Sequence, residues 1–295
     1  MIYSILLYTA CHVSASNINR AEHYLTKYGY LDSNKDIKEG LEAFQALSGL
    51  AVTGNIDPAT ESQMLVPRCG ARDDNDDLEM TGARDDNDGL EMTGARDASD
   101  DLEMTGAVLR YRVTKYPVDS LMTDDSIDNA ILTAANLWKN DVFEIVKNED
   151  DDSDNDVDIV FCDFTECVAD YSVENDGEEL ARPVKDKEGK VTLYLDSTQS
   201  WADDSTLSQL SYGGVMHLQV QLLQVMIHQF GHLLGLHHTH RMSSSMVPFY
   251  MEWVNMVQPD NEDLMAVSRA QSSYFSQSII IPAIYCTMQN LLRYI

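Results

Sequence analysis

The stretch His228–Tyr250, HQFGHLLGLHHTHRMSSSMVPFY, decides how the rest of the chain is interpreted. His228 and His232 lie four residues apart, so on a helix both imidazoles project from one face about one turn apart. Gly235 then allows the chain to leave the helix, and His238 can turn back toward the other two histidines. Three histidines that leave one coordination position open are typical of a catalytic zinc site rather than a structural one.

A methionine turn follows the histidines. Met246 comes eight residues after His238, and Pro248 and Tyr250 come next. This pattern resembles the signature H-E-x-x-H-x-x-G-x-x-H with its Met-turn, which is found in metzincin zinc endopeptidases. The ending M-x-P-x-Y is similar to that of the matrixins, the matrix metalloproteinases. The resemblance implies that Met246 forms the Met-turn, that Pro248 and Tyr250 bind substrate, and that one catalytic Zn²⁺ is held by His228, His232 and His238.

One position departs from that signature. Gln229 stands where the family has the glutamate that acts as the general base. A glutamine amide can hydrogen-bond a water molecule but cannot accept its proton. The resemblance therefore implies a metalloendopeptidase whose hydrolysis of extracellular proteins is impaired, although metal binding survives because Gln229 is not a ligand. The alternative is a pseudopeptidase, a zinc-containing module that binds peptides or inhibitors without cutting them.

Residues 16–66 have the pattern of a small helical domain. Apolar residues recur at spacings of three and four, and DPAT at 57–60 begins the last of three predicted helices. On these features alone the block could be any small helical module. It also resembles the peptidoglycan-binding-like prodomain of matrixins.

Residues 67–73, PRCGARD, are similar to the cysteine switch of the family. The resemblance implies a latent form in which the thiolate of Cys69 is the fourth zinc ligand. Arg72 and Asp73 would hold the segment in place by charge-assisted contacts. The other interpretation of Cys69 is a plain surface thiol.

Three 12-residue copies follow: GARDDNDDLEMT at 70–81, GARDDNDGLEMT at 82–93 and GARDASDDLEMT at 94–105. Only the first is preceded by Pro-Arg-Cys, so the sequence predicts one switch. Because the copies are acidic and poor in apolar residues, we predict a linker over residues 74–106 rather than a solenoid. It is either a duplication with no function of its own or an exposed loop that activating proteases cut.

Residues 107–276 are predicted to form the catalytic domain. LRYRVTKYP, FEIV, VDIVFCDF and VTLYLD predict strands, and an apolar stripe predicts a helix that ends near Trp138. VQLLQVMIHQFGHLLGL predicts the active-site helix, and residues 260–276 a closing helix. The predicted fold class is α+β: a metzincin-like catalytic domain with a twisted, mostly parallel sheet and an active-site helix, preceded by a small three-helix prodomain.

Matrixins also carry a structural zinc and calcium loops, and here the sequence departs from the family. In an alignment anchored on Asp170 and Trp201, the three structural histidines fall on Val168, Arg182 and Tyr194. Valine cannot ligate a metal, and arginine would repel the ion. KDKEGK replaces the glycine-rich calcium loop, and Gln199 replaces its glutamate ligand. We therefore predict one zinc per chain and no structural zinc, and calcium binding is doubtful.

Length, charge and cysteine content narrow the class of protein. The 295 residues, of which 44% are hydrophobic, suit one catalytic domain and a smaller module, and we expect a monomer. A formal charge of -29 argues against nucleic acid and anionic membranes as partners. Five cysteines are too few for a disulfide scaffold. Cys162 and Cys167 form either a local bridge in an oxidising compartment or two buried thiols.

The two ends of the chain are apolar. MIYSILLYTACHVSAS predicts a signal peptide over residues 1–15, with cleavage after Ala15, and therefore secretion to the extracellular space. The tail over residues 277–295 is too short, and too interrupted by polar residues, for a stable membrane span. We assign the tail no role.

Overall fold

The computed structural model describes residues 15–73, 107–118, 120–140, 143–149, 155–168, 179–186, 190–203, 219–250 and 258–267. The acidic repeats, the apolar tail and Asp170 lie outside the described residues, and so does the predicted signal peptide except for Ala15. In the part of the chain that is described, no helix has both the length and the apolar character needed to cross a membrane.

The N-terminal domain consists of three helices, as predicted: α1 (Ala15–Lys27), α2 (Ile37–Leu47) and α3 (Pro58–Gln63). Helix α2 begins at a capping box, in which Asp36 and Glu39 each accept a hydrogen bond from the backbone of the other. Aromatic side chains fill the core between the helices. Phe249, from the stretch 228–250, packs edge-on against Phe44 of this core, so the N-terminal domain and the C-terminal half of the chain share an apolar contact.

Six strands form the main sheet: β1 (Arg68–Cys69), β2 (Ala107–Lys115), β3 (Phe143–Lys147), β4 (Val157–Cys162), β5 (Glu179–Lys185) and β6 (Val191–Asp196). Their order is β1-β5-β6-β4-β2-β3, and every pair is parallel except β5 with β6. The mostly parallel sheet is therefore confirmed. Two short strands, β7 (Ser200–Ala202) and β8 (Gln219–Gln221), pair separately.

Strand β5 was not predicted from the sequence. Five consecutive residues of β5 are buried, from Glu179 to Pro183, and two of them carry charge. Such a strand shows neither the alternation of a half-buried strand nor the apolar run of a fully buried one. Its burial depends on ion pairs that only the folded chain supplies.

In the described part of the chain, two long helices pack on the sheet, α4 (Asp124–Trp138) and α6 (Leu222–Leu233), and the short α5 (Phe164–Cys167) follows β4. Helices α4 and α6 touch along their lengths, and the indole nitrogen of the fully buried Trp138 donates to the carbonyl of Ile227 at 2.9 Å. The predicted helix ending near Trp138 and the active-site helix are both confirmed. Of the closing helix, residues 261–267 are helical and the remainder lies outside the described residues.

Cys162 and Cys167 form a disulfide that joins the end of β4 to the end of α5. The sequence left this pair open between a bridge and two thiols, and the structure has the bridge. Val168 and Tyr194 pack around it in a small apolar cluster.

Candidate metal centre

Three histidine nitrogens converge beside helix α6. The Nε2 atoms of His228 and His232 lie 3.0 Å apart, and the Nε2 atom of His238 lies 3.2 Å from the first and 3.1 Å from the second. Helix α6 places the first two one turn apart and ends at Leu233. Gly235 follows with a φ of 87°, which reverses the chain and returns His238 to the other two. The neighbouring His237 is exposed and stays outside the cluster.

The opposite nitrogen of each ring is held by an acceptor. Nδ1 of His228 lies 2.8 Å from the carbonyl of Ser245, and Nδ1 of His232 lies 2.8 Å from the carbonyl of Leu236. A carbonyl can only accept, so these two Nδ1 atoms carry the protons. Burial lowers the pKa of both rings, well below the ordinary value for His232, which favours the neutral form. Their Nε2 lone pairs therefore point at one another.

The Nδ1 atom of His238 also has an acceptor, the carboxylate of Asp73. This Nδ1 lies 2.5 Å from Oδ1 of Asp73, and both side chains are fully buried. Burial lowers the pKa of His238, but the adjacent carboxylate raises it more, to about 9. A carboxylate behind a histidine also makes the ring a better metal ligand, because it fixes the orientation of the ring and raises its basicity.

The thiol of Cys69 completes the cluster. Its Sγ lies 3.4 Å from Nε2 of His232, and the potential ligand atoms of all four residues lie within 4.8 Å of one another. Burial raises the pKa of the Cys69 thiol, but His228 and His238 more than offset this and bring the pKa down to about 5. The amide of Gln229 donates to Sγ at 3.2 Å, and so does the backbone N–H of Ala71 at 3.3 Å.

This donor set fits zinc. Ligand nitrogens about 2.05 Å from a tetrahedral ion lie about 3.3 Å apart, close to the spacing of the three Nε2 atoms. The Nε2 lone pairs of His228 and His232 and a sulfur with lowered pKa repel one another unless a cation lies between them. Converging imidazole and thiolate donors of this kind select zinc over harder ions such as calcium or magnesium.

The segment that carries Cys69 lies in a groove as an extended strand. On one side, the N–H of Gly70 donates to the carbonyl of Ala181 in β5 at 2.9 Å. On the other side, Cys69 donates to the carbonyl of Pro248 at 2.9 Å, and Tyr250 donates to the carbonyl of Pro67 at 2.7 Å. The groove between β5 and residues 247–250 thus binds an extended peptide backbone, here one from the same chain.

An ion pair that the sequence did not predict holds this segment. Arg68 is 1% exposed, and its guanidinium donates to Oδ1 of Asp73 at 2.7 Å. It also donates to the hydroxyl of Tyr24 at 2.9 Å and stacks on the ring of Tyr28. Burial raises the pKa of Asp73, but Arg68 and then His238 lower it well below its usual range. Arg72, to which the sequence analysis gave this role together with Asp73, is exposed. Both arginines belong to PRCGARD, and no signal in that motif says which one turns inward.

Pro248 and Tyr250 line a cavity beside the histidines, where the resemblance expected substrate-binding residues. Leu180 and Val225 supply apolar surface to the same cavity. The hydroxyl of Tyr250 accepts a hydrogen bond from the N–H of Gln221 at 2.8 Å, which anchors this wall to the start of α6.

Met246 packs against helix α6, and its position explains why residue 231 of this helix is a glycine. A Cβ atom added to Gly231 would lie 2.3 Å from Sδ of Met246 and 3.0 Å from Cζ2 of Trp138. Only glycine lets the methionine pack this closely against the helix between the two histidines. The carboxylate of Asp263 holds the turn from below, because it accepts hydrogen bonds from Ser244 and Ser245.

We expect Gly231→Ala to lower the free energy of unfolding by about 1–3 kcal/mol, since the added methyl group overpacks a core with no room for it. Urea denaturation of the purified variant measures this change. Gln224→Ala is the matched control, on the same helix at a partly exposed position. Equal stability of the two variants would contradict the packing account of Met246.

The positions aligned with the structural zinc of the family hold other contacts. Arg182 pairs with the carboxylate of Glu179, at 2.5 Å from Nε and 2.7 Å from Nη2. Val168 and Tyr194 belong to the apolar cluster around the disulfide. The expectation that no structural zinc binds stays a prediction.

Comparisons with known proteins agree with this geometry. The family model "Putative peptidoglycan binding domain" matches residues 14–64, and the family model "Matrixin" matches residues 103–271, more than half of the chain. Metalloendoproteinase 1-MMP of Arabidopsis thaliana is 25% identical over 251 residues, covering 79% of this chain and 63% of that protein. Matrix metalloproteinase-25 of Homo sapiens is also 25% identical over 251 residues, covering 80% of this chain and 41% of that protein.

A third relative covers more of the chain. Stromelysin-2 of Rattus norvegicus is 23% identical over 299 residues, which is 94% of this chain and 55% of that protein. The chain spans from about two fifths to about three fifths of the length of these three relatives. Because a model of the catalytic domain matches more than half of the sequence, the chain belongs to the matrixin family.

Proposed function

We propose that this matrixin is a secreted, latent, zinc-dependent metalloendopeptidase of extracellular proteins whose turnover is impaired by Gln229. One observation carries the proposal: three histidines and a cysteine converge at a groove that already binds an extended peptide segment. Metal ligands and backbone-binding groups side by side are what metal-dependent hydrolysis of a peptide bond requires.

A zinc ion held by His228, His232 and His238 would polarise the carbonyl of a peptide and lower the pKa of a bound water. The chain's own residues position the substrate. The carbonyls of Ala181 and Pro248 accept hydrogen bonds from a peptide in the groove, and the N–H of Tyr250 donates one, as they do now with the prosegment, residues 67–73. The cavity beside Tyr250 would take a side chain next to the reacting bond.

Gln229 sets the limit on turnover. It is 1% exposed, its Nε2 donates to the sulfur of Cys69, and its Oε1 is buried without a hydrogen-bond partner in the described part of the chain. That oxygen can accept a hydrogen bond from a water molecule and orient it. An amide cannot take up the proton, however, so the general base of the family mechanism is missing.

Latency and secretion have separate support. The prosegment fills the groove, and Cys69 lies where a fourth ligand would lie, so water and substrate are both kept from the histidines. Removal of the prodomain by activating proteases would open the site. The disulfide between Cys162 and Cys167 favours an oxidising compartment, consistent with the apolar N-terminus expected to direct secretion.

A pseudopeptidase is the second candidate, and the amide of Gln229 favours it. Such a protein would keep the zinc and the groove, and would capture peptides or inhibitors without cutting them. Both candidates require metal and a binding groove, and they differ only in whether the bound peptide is hydrolysed.

We expect elemental analysis of the dialysed full chain to find one zinc per chain. His232→Ala should reduce this content to near zero, because it removes a ligand from the centre of the cluster. Cys69→Ser should keep the metal, since three histidines remain. Two zinc ions per chain would contradict the predicted absence of a structural site.

The function itself is tested with a quenched fluorescent peptide after proteolytic removal of the prodomain. We expect slow hydrolysis that stops when a chelator removes the metal and resumes when zinc is restored. Binding of the peptide without hydrolysis would select the pseudopeptidase. Hydrolysis that a chelator leaves unchanged would contradict both candidates.

A further inference from the structure

A buried acid lies in the groove and has no part in the chemistry described above. Glu179, at the start of β5, has no exposed side-chain surface. Among the described residues, its carboxylate has two cationic partners from different parts of the chain. Arg182, on the same strand, contacts both oxygens at 2.5 and 2.7 Å, and the ammonium of Lys27, at the end of α1 in the prodomain, lies 2.9 Å from Oε2.

The carboxylate faces whatever chain occupies the groove. In the register of β1 with β5, Arg68 lies opposite Glu179 and Cys69 opposite Ala181. A Cβ atom added to Gly70 would lie 1.9 Å from Oε1 of Glu179. Gly70, the residue that follows Cys69, is thus in direct contact with the carboxylate of Glu179. Any extended peptide that replaces the prosegment along β5 passes the same carboxylate.

The charge balance around Glu179 depends on the prodomain. Burial raises the pKa of this carboxyl, but Arg182 and Lys27 more than offset the effect and keep the pKa below its ordinary value, so the group is ionised. A buried carboxylate is costly unless its lone pairs are satisfied by donors. Loss of the prodomain removes Lys27 and leaves Arg182 in place. Oε2 then loses one of its two cationic partners at the edge of an open groove.

On the basis of the peptide-binding role proposed above, we propose that Glu179 determines specificity by selecting peptides that place a lysine or arginine side chain where the Lys27 ammonium now lies. A basic side chain restores the charge-assisted hydrogen bond to Oε2. An apolar side chain of equal length leaves that oxygen without its second cationic donor, and an acidic one meets it with like charge. The formal charge of -29 for the whole chain acts in the same direction, since it attracts basic peptides and repels acidic ones at long range.

The experiment uses the zinc-loaded full chain with Cys69→Ser, Lys27→Met and Arg68→Ala, which remove three contacts that hold the prodomain and its segment over the groove. Capped hexapeptides with lysine, methionine or glutamate at each position in turn are titrated by calorimetry. Methionine is the matched neutral side chain. At one position we expect lysine to bind about tenfold more tightly than methionine, and glutamate more weakly than methionine.

Adding Glu179→Gln should abolish the preference for lysine and leave the affinity for the methionine peptide unchanged. Glu166→Gln, at an exposed acid on α5, is the control and should keep the preference. Equal binding of lysine and methionine at every position would overturn this inference and leave the peptide-binding function standing. Failure of every peptide to bind would overturn both. If Glu179→Gln does not fold, the lysine, methionine and glutamate series on the parent chain decides the matter without it.

Discussion

Replacing Gln229 by glutamate is expected to raise the rate of peptide hydrolysis by about 100-fold to 10,000-fold after the prodomain has been removed, which is the usual contribution of a positioned general base. The side chain at this position lies against the sulfur of Cys69, where a fourth ligand would bind, so a carboxylate there reaches a water in the same place. The substitution is isosteric, and Gln229 is not one of the four potential ligands. The zinc content should therefore stay the same.

The initial rate of cleavage of a quenched peptide, divided by the zinc content, measures this gain. Gln258→Glu is the matched control, because it makes the same change from amide to carboxylate at an exposed residue that does not line the neighbouring cavity. If the native protein cleaves as fast as the revertant, the assignment of position 229 is wrong. If neither cleaves, the departures from the family at the structural zinc and calcium positions matter more than the missing base.

Arg68→Ala is expected to release the prosegment and to make Cys69 react at least about 100-fold faster with a thiol reagent. The guanidinium is buried and pairs with the buried carboxylate of Asp73, and removal of one partner of such a pair destabilises by about 3–5 kcal/mol. The carboxylate then keeps His238 as a partner but loses its guanidinium, and it can regain water only if the segment leaves the groove. Each 1.4 kcal/mol is about tenfold in the population of the released state.

The rate of labelling, with mass spectrometry to assign the label to Cys69, measures this release. Arg72→Ala is the control within the same motif. Its side chain is exposed, so we expect a change of less than about 1 kcal/mol. The double variant Arg68→Ala with Asp73→Asn should react more slowly than Arg68→Ala alone, because it no longer buries a carboxylate that has lost its guanidinium partner. Equal labelling of the Arg68 and Arg72 variants would show that the ion pair does not hold the prosegment.

Most of the fold could be predicted because its elements are marked by local patterns. The capping residues Asp36 and Asp57 and the apolar spacing of the prodomain located three helices. The alternation of apolar and polar residues predicted β2, and runs of apolar residues predicted β4 and β6. Strand β5 was missed because its burial rests on the pairing of Glu179 with Arg182 and Lys27, which no window of neighbouring residues reveals.

The sequence by itself determined that three histidines converge, since His228 and His232 need only helical spacing to meet and Gly235 is required for the return of His238. It also determined that no base stands at position 229. Tertiary structure decided which arginine of PRCGARD is buried, that Cys162 and Cys167 are bridged, and that Glu179 faces the groove. The physical reason is that helical spacing and glycine conformation are local properties. Burial of a charge depends instead on partners distant in the chain, such as Tyr24 and Tyr28 around Arg68 or Lys27 beside Glu179.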